Sequence, residues 1–273
     1  MRFYPGTAGI LFFCFVCTAP AQVIDSDAVV SAVTDTLTDV TDSFLSDIHN
    51  ARIGLGPVAS PDYDGSDDYK LSIKPLLTLR YRDVVQIDNN RLRVFVVGSE
   101  LMVPSEKFKA GPLLKIGSGR DESGNTDLAG LGEVGNSIEL GVFASYETGP
   151  AQLRLRLQQD IANGHSGMMI IGDVQVGFYR TDKMTIIGSI SLTWANENYM
   201  ESSFGVNGAQ SVASGLPVFN AGSGLKDIRG GFGANYNISE YWSILGFAGY
   251  ARSLGDANDS PIVTLRGSAN QVA

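Results

Sequence analysis

Apolar and polar residues alternate along most of this chain from residue 51 onward, and the stretch YKLSIKPLLTLRYR at 69–82 shows the pattern most clearly. Its odd positions are all apolar or aromatic, whereas its even positions, apart from Leu76, carry Lys, Ser, Thr or Arg. A period of two places successive side chains on opposite faces of a β-strand. The stretch therefore predicts a strand that lies between an apolar medium and a polar one.

The same alternation predicts eleven strands. They fall near 51–60 and at 69–82, 84–88, 91–103, 107–118, 137–148, 151–161, 167–180, 183–195, 226–238 and 241–253. Many are long enough to cross a bilayer about 30 Å thick, which takes roughly 9–11 residues. Tight turns alternate with longer loops, and aromatic residues lie near strand ends, as in outer-membrane barrels. Because lipid cannot pair with an open sheet edge, we expect an all-β fold, an antiparallel transmembrane β-barrel.

Two segments precede the predicted barrel at 51–273. Residues 1–21 resemble a secretory signal peptide, with Arg2, an apolar core at 10–16 and the cleavage site Ala19-Pro20-Ala21; the alternative is a retained apolar helix. Residues 22–50 are rich in Asp and Thr and carry a helical stripe of apolar residues. They predict either a partly ordered periplasmic tail or an amphipathic helix for a partner or the barrel mouth.

The charge and cysteine content of the chain limit the kinds of partner and of cross-link that it can have. The chain has 20 Lys+Arg and 29 Asp+Glu, and cleavage after Ala21 removes Arg2 and no acid, which argues against a nucleic-acid partner. Cys14 and Cys17 are the only cysteines and both lie in the predicted leader, so the mature chain has no disulfide. Closed hydrogen bonding around a barrel would hold such an exported chain together.

Three separated motifs resemble the MipA/OmpV family of Gram-negative outer-membrane proteins. They are PDYDGSDDYKLSIKPLLTLRYRD, TWANENYMESSFGV, and AGSGLKDIRGGFGANYNISEYWSILGFAGYARSLGDANDSPIV with the GSANQ that follows. The resemblance covers roughly residues 51–272 and implies an outer-membrane barrel of about twelve strands. For the family's namesake it also implies a scaffold that binds a murein lytic transglycosylase and a bifunctional murein synthase. Other members are described as adhesin-like or permeability-related, and the family brings no catalytic residues.

The chain departs from this family pattern in two places. The family usually continues after GSANQ with a last amphipathic strand that ends in an aromatic residue, whereas this sequence stops at Ala273. Eleven strands cannot close antiparallel, so we expect impaired closure of the 273-residue form. Residues 22–50 are the second departure, since they do not match a family feature.

Catalysis and metal binding find little support in the sequence. The acidic loop 62–68 does not follow the EF-hand order, and a solvated outer loop is favoured over a calcium site. His165, with Asp160 and Ser166, is the one candidate for a catalytic arrangement, and a solvated loop histidine is the favoured interpretation. We therefore expect a protein that is not an enzyme, with no catalytic residue, no cofactor and no metal site.

A set of cations is expected on the polar face of the strands and is called the cation row below. Its members are Lys70, Lys74, Arg80, Arg91, Arg93, Lys109, Lys115, Arg154, Arg156 and Arg229. Lining a lumen, they could select anions in a pore. Alternatively they pair with carboxylates such as Glu139, Glu147, Asp160, Asp173 and Asp227 and fill a narrow lumen, which is the favoured interpretation.

The leading function is thus a non-enzymatic scaffold for peptidoglycan-remodelling proteins in the outer membrane, a role that rests on the resemblance alone. Its expected partners are outer-membrane lipid, a murein lytic transglycosylase and a murein synthase. A narrow channel or permeability factor for small polar solutes is the alternative, carried by the cation row. A surface adhesin is a further alternative, and it would use the loops at 119–136 and 196–225.

Overall fold

The computed structural model describes residues 12–17 and 48–272, and it describes side chains from residue 51 onward. The helix considered for residues 22–50 therefore lies outside the described residues, apart from 48–50, which begin a strand. Most of the predicted leader also lies outside them.

Thirteen strands form one antiparallel sheet in which neighbours along the chain are neighbours in space. They are β1 (Phe12–Cys17), β2 (Ile48–Pro61), β3 (Tyr69–Tyr81), β4 (Val85–Asp88), β5 (Arg91–Val94), β6 (Phe108–Gly117), β7 (Ser137–Thr148), β8 (Ala151–Asp160), β9 (Met168–Arg180), β10 (Met184–Ala195), β11 (Gly224–Asn237), β12 (Trp242–Ser253) and β13 (Asn270–Val272). Strands β2 to β12 correspond one by one to the eleven strands predicted from the sequence. The predicted all-β barrel is therefore confirmed.

Two short strands share the twelfth position of the wall. Strand β13 pairs with Tyr250–Arg252 of β12, and β1 pairs with 242–247 of the same strand. Strand β1 also pairs with 53–55 of β2, so it joins the first long strand to the last and nearly closes the barrel. The residues of β1 belong to the segment that the sequence predicts to be a leader, and cleavage of that leader stays a prediction.

The two faces of the wall differ as the alternation predicts. Apolar side chains such as Leu71, Ile73 and Ile190 lie exposed on the outside. Cross-strand neighbours on the other face are polar: Lys109 of β6 lies beside Ser145 of β7, which lies beside Arg154 of β8. Because the exposed apolar side chains lie on the outside, the polar side chains line the lumen.

The strand predicted at 91–103 is much shorter than expected, and this part of the prediction is wrong. Strand β5 ends at Val94, after which Phe95 is buried and residues 96–103 form a compact loop. Gly98 adopts a φ of 89°, which few other residues tolerate, and the amide of Val103 donates back to the carbonyl of Val96 over 3.1 Å. The reversal at Gly98 interrupts the strand although the apolar residues continue.

The connections differ at the two ends of the barrel. The turn end holds the connections β3–β4, β7–β8, β9–β10 and β11–β12, all of which are tight, and the longer β5–β6 connection at 95–107. At the loop end they are longer and contain two 3₁₀-helices, Glu122–Gly124 and Thr126–Leu128, and four short α-helices. These are α1 (Glu197–Phe204), α2 (Gly208–Ser214), α3 (Gly255–Asp259) and α4 (Pro261–Thr264). Within the described residues, no helix is long and apolar enough to cross a membrane.

Candidate functional site

Most of the cation row is paired with carboxylates. The ion pairs are Lys70–Asp62 (2.6 Å), Arg80–Asp83 (3.1 Å), Arg93–Asp88, Lys109–Glu147 (2.7 Å), Lys115–Glu139 (2.9 Å), Arg154–Asp173 (3.8 Å), Arg156–Asp173 (2.7 Å) and Arg229–Asp227 (2.8 Å). Among the residues that the structure describes, Lys74 and Arg91 form no ion pair. The cation row and its partners thus form a network of opposite charges along the wall, in which two cations are left without a carboxylate.

An aromatic layer lies within this network near the turn end. The buried side chains of Phe95, Leu113 and Phe143 pack together, and the two rings meet edge to face with centroids 5.2 Å apart. The guanidinium of Arg93 lies 5.9 Å from the Phe95 ring centroid and 5.8 Å from that of Phe143. Cations over aromatic faces are attracted by the ring quadrupole. Apolar packing and charge pairing therefore fill this part of the lumen together.

The long loops form a cap over the loop end rather than separate exposed loops. One apolar cluster joins wall and loops through Met169, Met200, Phe204 and Ala257, with others. A second cluster joins Leu131 to loop residues far away in the sequence, including Tyr63, Val206, Leu216 and Ile262. Because a cap with its own buried core resists opening, the loops at 119–136 and 196–225 are held in fixed positions.

Local sequence signals start the cap helices. The side chain of Asn196 accepts a hydrogen bond from the amide of Tyr199 at the start of α1. Asn207 and Gln210 form a reciprocal capping box at the start of α2, and Ser260 precedes Pro261 at the start of α4. Such caps satisfy amides that a helix of one or two turns leaves without a partner.

Long-range hydrogen bonds tie the cap segments together. Arg266 donates to the carbonyls of Asp127, over 2.7 Å, and of Ser214. Arg120, which is half-buried, donates to the carbonyl of Ser203 over 2.7 Å, and its burial lowers the pKa of its guanidinium. Each of these bonds joins residues from different loops, so the cap forms only when the barrel has brought the loops together.

The acidic loop 62–68 is exposed at Asp64, Asp67 and Asp68, as the sequence predicts, but cations hold it in place where mutual repulsion was expected. Asp62 pairs with Lys70 and also accepts from Asn125 over 3.0 Å. Asp64 lies 2.6 Å from the ammonium of Lys226 and 3.4 Å from Arg229. The charge of Lys226 holds the pKa of Asp64 well below its usual range. The loop is therefore fixed by cations of the barrel mouth, a pairing that sequence spacing does not reveal.

Residues Asp160, His165 and Ser166 do not form a catalytic triad. The carboxylate of Asp160 accepts from the backbone amides of His165 and Ser166, each over 2.8 Å, and not from the imidazole. The ring of His165 stacks edge to face on Tyr199 with centroids 4.7 Å apart, and its Nε2 lies 3.7 Å from Glu139. Asp160 therefore shapes a turn, whereas His165 is a buried part of the contact between barrel and cap.

A cavity of about 510 Å³ lies below the cap at the loop end. Its lining combines tyrosines with charged groups, including Tyr63, Tyr199, Arg120, His165 and Arg229. Burial raises the pKa of the Tyr63 phenol to about 12, and burial also raises that of Tyr199, so both hydroxyls stay protonated at neutral pH. The cavity could enclose a small polar molecule, but no group of His, Cys, Asp or Glu within the described ranges is arranged to hold a metal ion.

The turn end presents a contrasting surface. In the loop 96–103, Leu101, Met102 and Val103 are exposed by 61%, 51% and 50%. The loop is ordered by its own hydrogen bonds, since Gly98 donates to the carbonyl of Val103 over 2.9 Å. Leu101, Met102 and Val103 are called the turn-end patch below. The sequence pattern does not reveal this patch, because the apolar alternation predicts a strand through these residues.

Comparison with known proteins agrees with the architecture. The family described as MltA-interacting protein MipA matches residues 53–273. Two curated relatives, from Escherichia coli strain K12 and Shigella flexneri, are each named MltA-interacting protein and are 27% identical over 143 residues. These residues make up 52% of this chain and 56% of each relative, so the match spans little more than half the length of the relatives. Since the family match runs from within β2 to residue 273 and so covers more than half of the chain, the chain belongs to the MipA family.

Proposed function

We propose that this protein is a non-enzymatic β-barrel of the outer membrane that acts as a scaffold for a murein lytic transglycosylase. The membership in the MipA family and the names of its relatives support this partner. The exposed apolar outer face supports a membrane location. Short turns face the periplasm in such barrels, which assigns the turn end to the periplasm and the cap to the outside.

The turn-end patch is the observation that carries the scaffold role. Exposed clusters of large apolar side chains usually mark sites of protein or membrane interaction. Leu101, Met102 and Val103 lie between Glu100 and Glu106, in the connection 95–107, which is the longest at the turn end among the residues that the structure describes. In the proposed orientation this loop reaches the compartment that contains the transglycosylase. A murein synthase, which the family resemblance adds, would join the same assembly through the enzyme or through a neighbouring surface.

Features of the lumen and the cap favour the scaffold over the two alternatives. Ion pairs and the Phe95 layer occupy the lumen, and a narrow channel would need an open path through them. The loops that an adhesin would use are packed into the cap. The triad expected for a hydrolase is not formed by the candidate residues, which supports a role without catalysis.

Site-specific photo-crosslinking in cells tests the proposal. A photoreactive amino acid replaces Met102 in the turn-end patch, and a matched variant carries it at Val212, which is highly exposed on the cap. We expect mass spectrometry to identify a murein transglycosylase in the adducts of the Met102 variant and not in those of the Val212 variant. Equal recovery from both positions, or recovery from Val212 alone, would contradict the proposed periplasmic docking surface.

A further inference from the structure

The half of β3 that is nearer to the cap has a neighbouring strand on one side only. Strand β2 pairs with β3 along its whole length, from Tyr69 to Tyr81. Strand β4 pairs with it only at 78–81, because the β4–β5 hairpin turns back at Asn89. Residues 71–76, called the β3 edge below, therefore border a notch in the wall above this short hairpin.

The direction of the backbone groups along this edge follows from Leu77. Its amide donates to Oδ1 of Asn89 over 2.7 Å, and its carbonyl accepts from the amide of Asn89 over 2.8 Å, so both groups point away from β2. Backbone groups of a strand alternate between its two sides. The groups of Ile73 and Leu71 hence point into the notch, where the described residues offer them no partner.

A proline occupies one position on this edge, where no neighbouring strand would accept a hydrogen bond from a backbone N–H. Pro75 lies between Leu77 and Ile73 in the alternation, and its nitrogen points into the notch. Proline in sheets is confined to edges and bulges because it cannot donate to a neighbouring strand. The sequence itself thus agrees with an unpaired edge at this height.

Cations and apolar side chains surround the unpaired amides. Leu71 and Ile73 are 71% and 77% exposed on the outer face. On the lumen face, Lys74 is exposed, and Arg91 lies at the foot of the notch on the neighbouring hairpin. These two are the members of the cation row that form no ion pair among the described residues, and the Nε of Arg91 is buried without a hydrogen-bond partner.

We propose that the β3 edge binds an anionic lipid with a phosphate headgroup, an inference that rests on the membrane location in the proposed function. The phosphate oxygens accept from the amides of Leu71 and Ile73 and pair with Lys74, while the acyl chains cover the two apolar side chains. Backbone amides in a bilayer need such a partner because hydrocarbon offers none. Phosphate is the strong acceptor that membranes provide, and it is also the counter-ion that lysine lacks here.

A second copy of the chain fits this edge less well. Antiparallel pairing of two β3 edges about Ile73 places Pro75 of one copy opposite Leu71 of the other. Because proline cannot donate, the carbonyl of each Leu71 would stay without a partner. The exposed lysine side chains would also approach one another across the joint. Charge and hydrogen bonding therefore both favour the anionic lipid.

Photo-crosslinking to lipid in nanodiscs tests this proposal on the full chain. Nanodiscs contain either phosphatidylglycerol, which is anionic, or phosphatidylcholine, which is zwitterionic. A photoreactive residue replaces Ile73, and a matched control replaces Ile190, which is also exposed on the outer face but has neighbouring strands on both sides. We expect adducts at position 73 to favour phosphatidylglycerol, and adducts at position 190 to show no preference.

The variant Lys74→Gln measures the charge contribution. It should reduce the preference at position 73 about fivefold, since one lysine near an anionic lipid surface contributes on this scale. Lys183→Gln, in the β9–β10 turn, should leave the preference unchanged. Equal lipid yields at 73 and 190 without preference, or protein adducts at 73 in place of lipid, would overturn the proposal. Absence of lipid adducts at Ile190 as well would instead refute the membrane location.

Discussion

Two lysines of the barrel mouth make ion pairs of equal length in very different surroundings. Lys226 lies 2.6 Å from Oδ2 of both Asp64 and Asp227, and its side chain is 4% exposed. Lys70 lies 2.6 Å from Asp62 with its side chain 61% exposed. We predict that Lys226→Met destabilises the cap strongly, whereas Lys70→Met has little effect.

The size of the difference follows from burial. Removing one partner of a buried ion pair costs about 3–5 kcal/mol, because the remaining charge stays buried without compensation. Asp227 keeps Arg229, 2.8 Å away, and Asp64 is 42% exposed, so we expect the lower end, about 3 kcal/mol. Exposed pairs contribute less than about 1 kcal/mol, which sets the expectation for Lys70→Met.

Amide hydrogen exchange of α1 is the appropriate assay. The ring of Tyr199 in α1 lies 5.6 Å from the Lys226 ammonium, and that of Phe204 lies 6.0 Å away, so the helix reports on this cluster. In the folded full chain, Lys226→Met should lower the protection of α1 about a hundredfold, which corresponds to about 3 kcal/mol. Equal protection in the two methionine variants would show that burial does not set the strength of these pairs.

Three further predictions follow from the wall and the mouth. Ile73→Pro should leave the free energy of unfolding in urea nearly unchanged. Ser72→Pro removes an amide that faces β2 and should lower this free energy by about 3 kcal/mol. Equal losses in the two variants would contradict the unpaired edge. Gly111→Ala places a Cβ 1.8 Å from the carbonyl oxygen of Val94 and should lower the free energy of unfolding by at least about 2 kcal/mol in the same urea titration. Gly172→Ala has open space around its new Cβ and should not lower it. The pKa of Asp64 is lowered in the folded chain, so its ion pair with Lys226 contributes fully to the stability of the cap above about pH 4 and is lost as the pH falls further. Protection of the α1 amides should therefore decrease in acid, and it should decrease less in Lys226→Met.

The wall could be predicted from the sequence because its signal is local. Each strand carries its own alternation, and the lipid-facing and polar sets are different residue types. The failure at 91–103 has the same origin: Val96, Val97, Leu101 and Val103 continue an apolar pattern, but Gly98 reverses the chain. A single backbone conformation thus outweighs a run of favourable residues.

The cap could not be predicted because its contacts join distant segments. The starts of two cap helices could have been predicted from the sequence, because Asn207 and Gln210 have the spacing of a capping box and Pro261 follows Ser260. The packing of Tyr63 against residues about 150 to 200 positions later depends on the barrel bringing loops together, which no local pattern encodes. The same applies to the cation row, since Lys115 and Glu139 become neighbours only once the strand register is fixed.

Closure of the wall uses different interactions at different heights. Near the turn end of the uncleaved chain, β1 completes part of a backbone ladder between β2 and β12. At the loop end, β13 is joined to the opposite side by side chains: Gln271 donates to the carbonyls of Tyr63 and Ser66, and the amide of Val272 donates to the hydroxyl of Tyr69. Side-chain bonds suffice where water and the cap can satisfy the remaining groups, whereas hydrocarbon demands a continuous ladder. The same rule explains why an unpaired stretch such as the β3 edge requires a polar partner from the membrane itself.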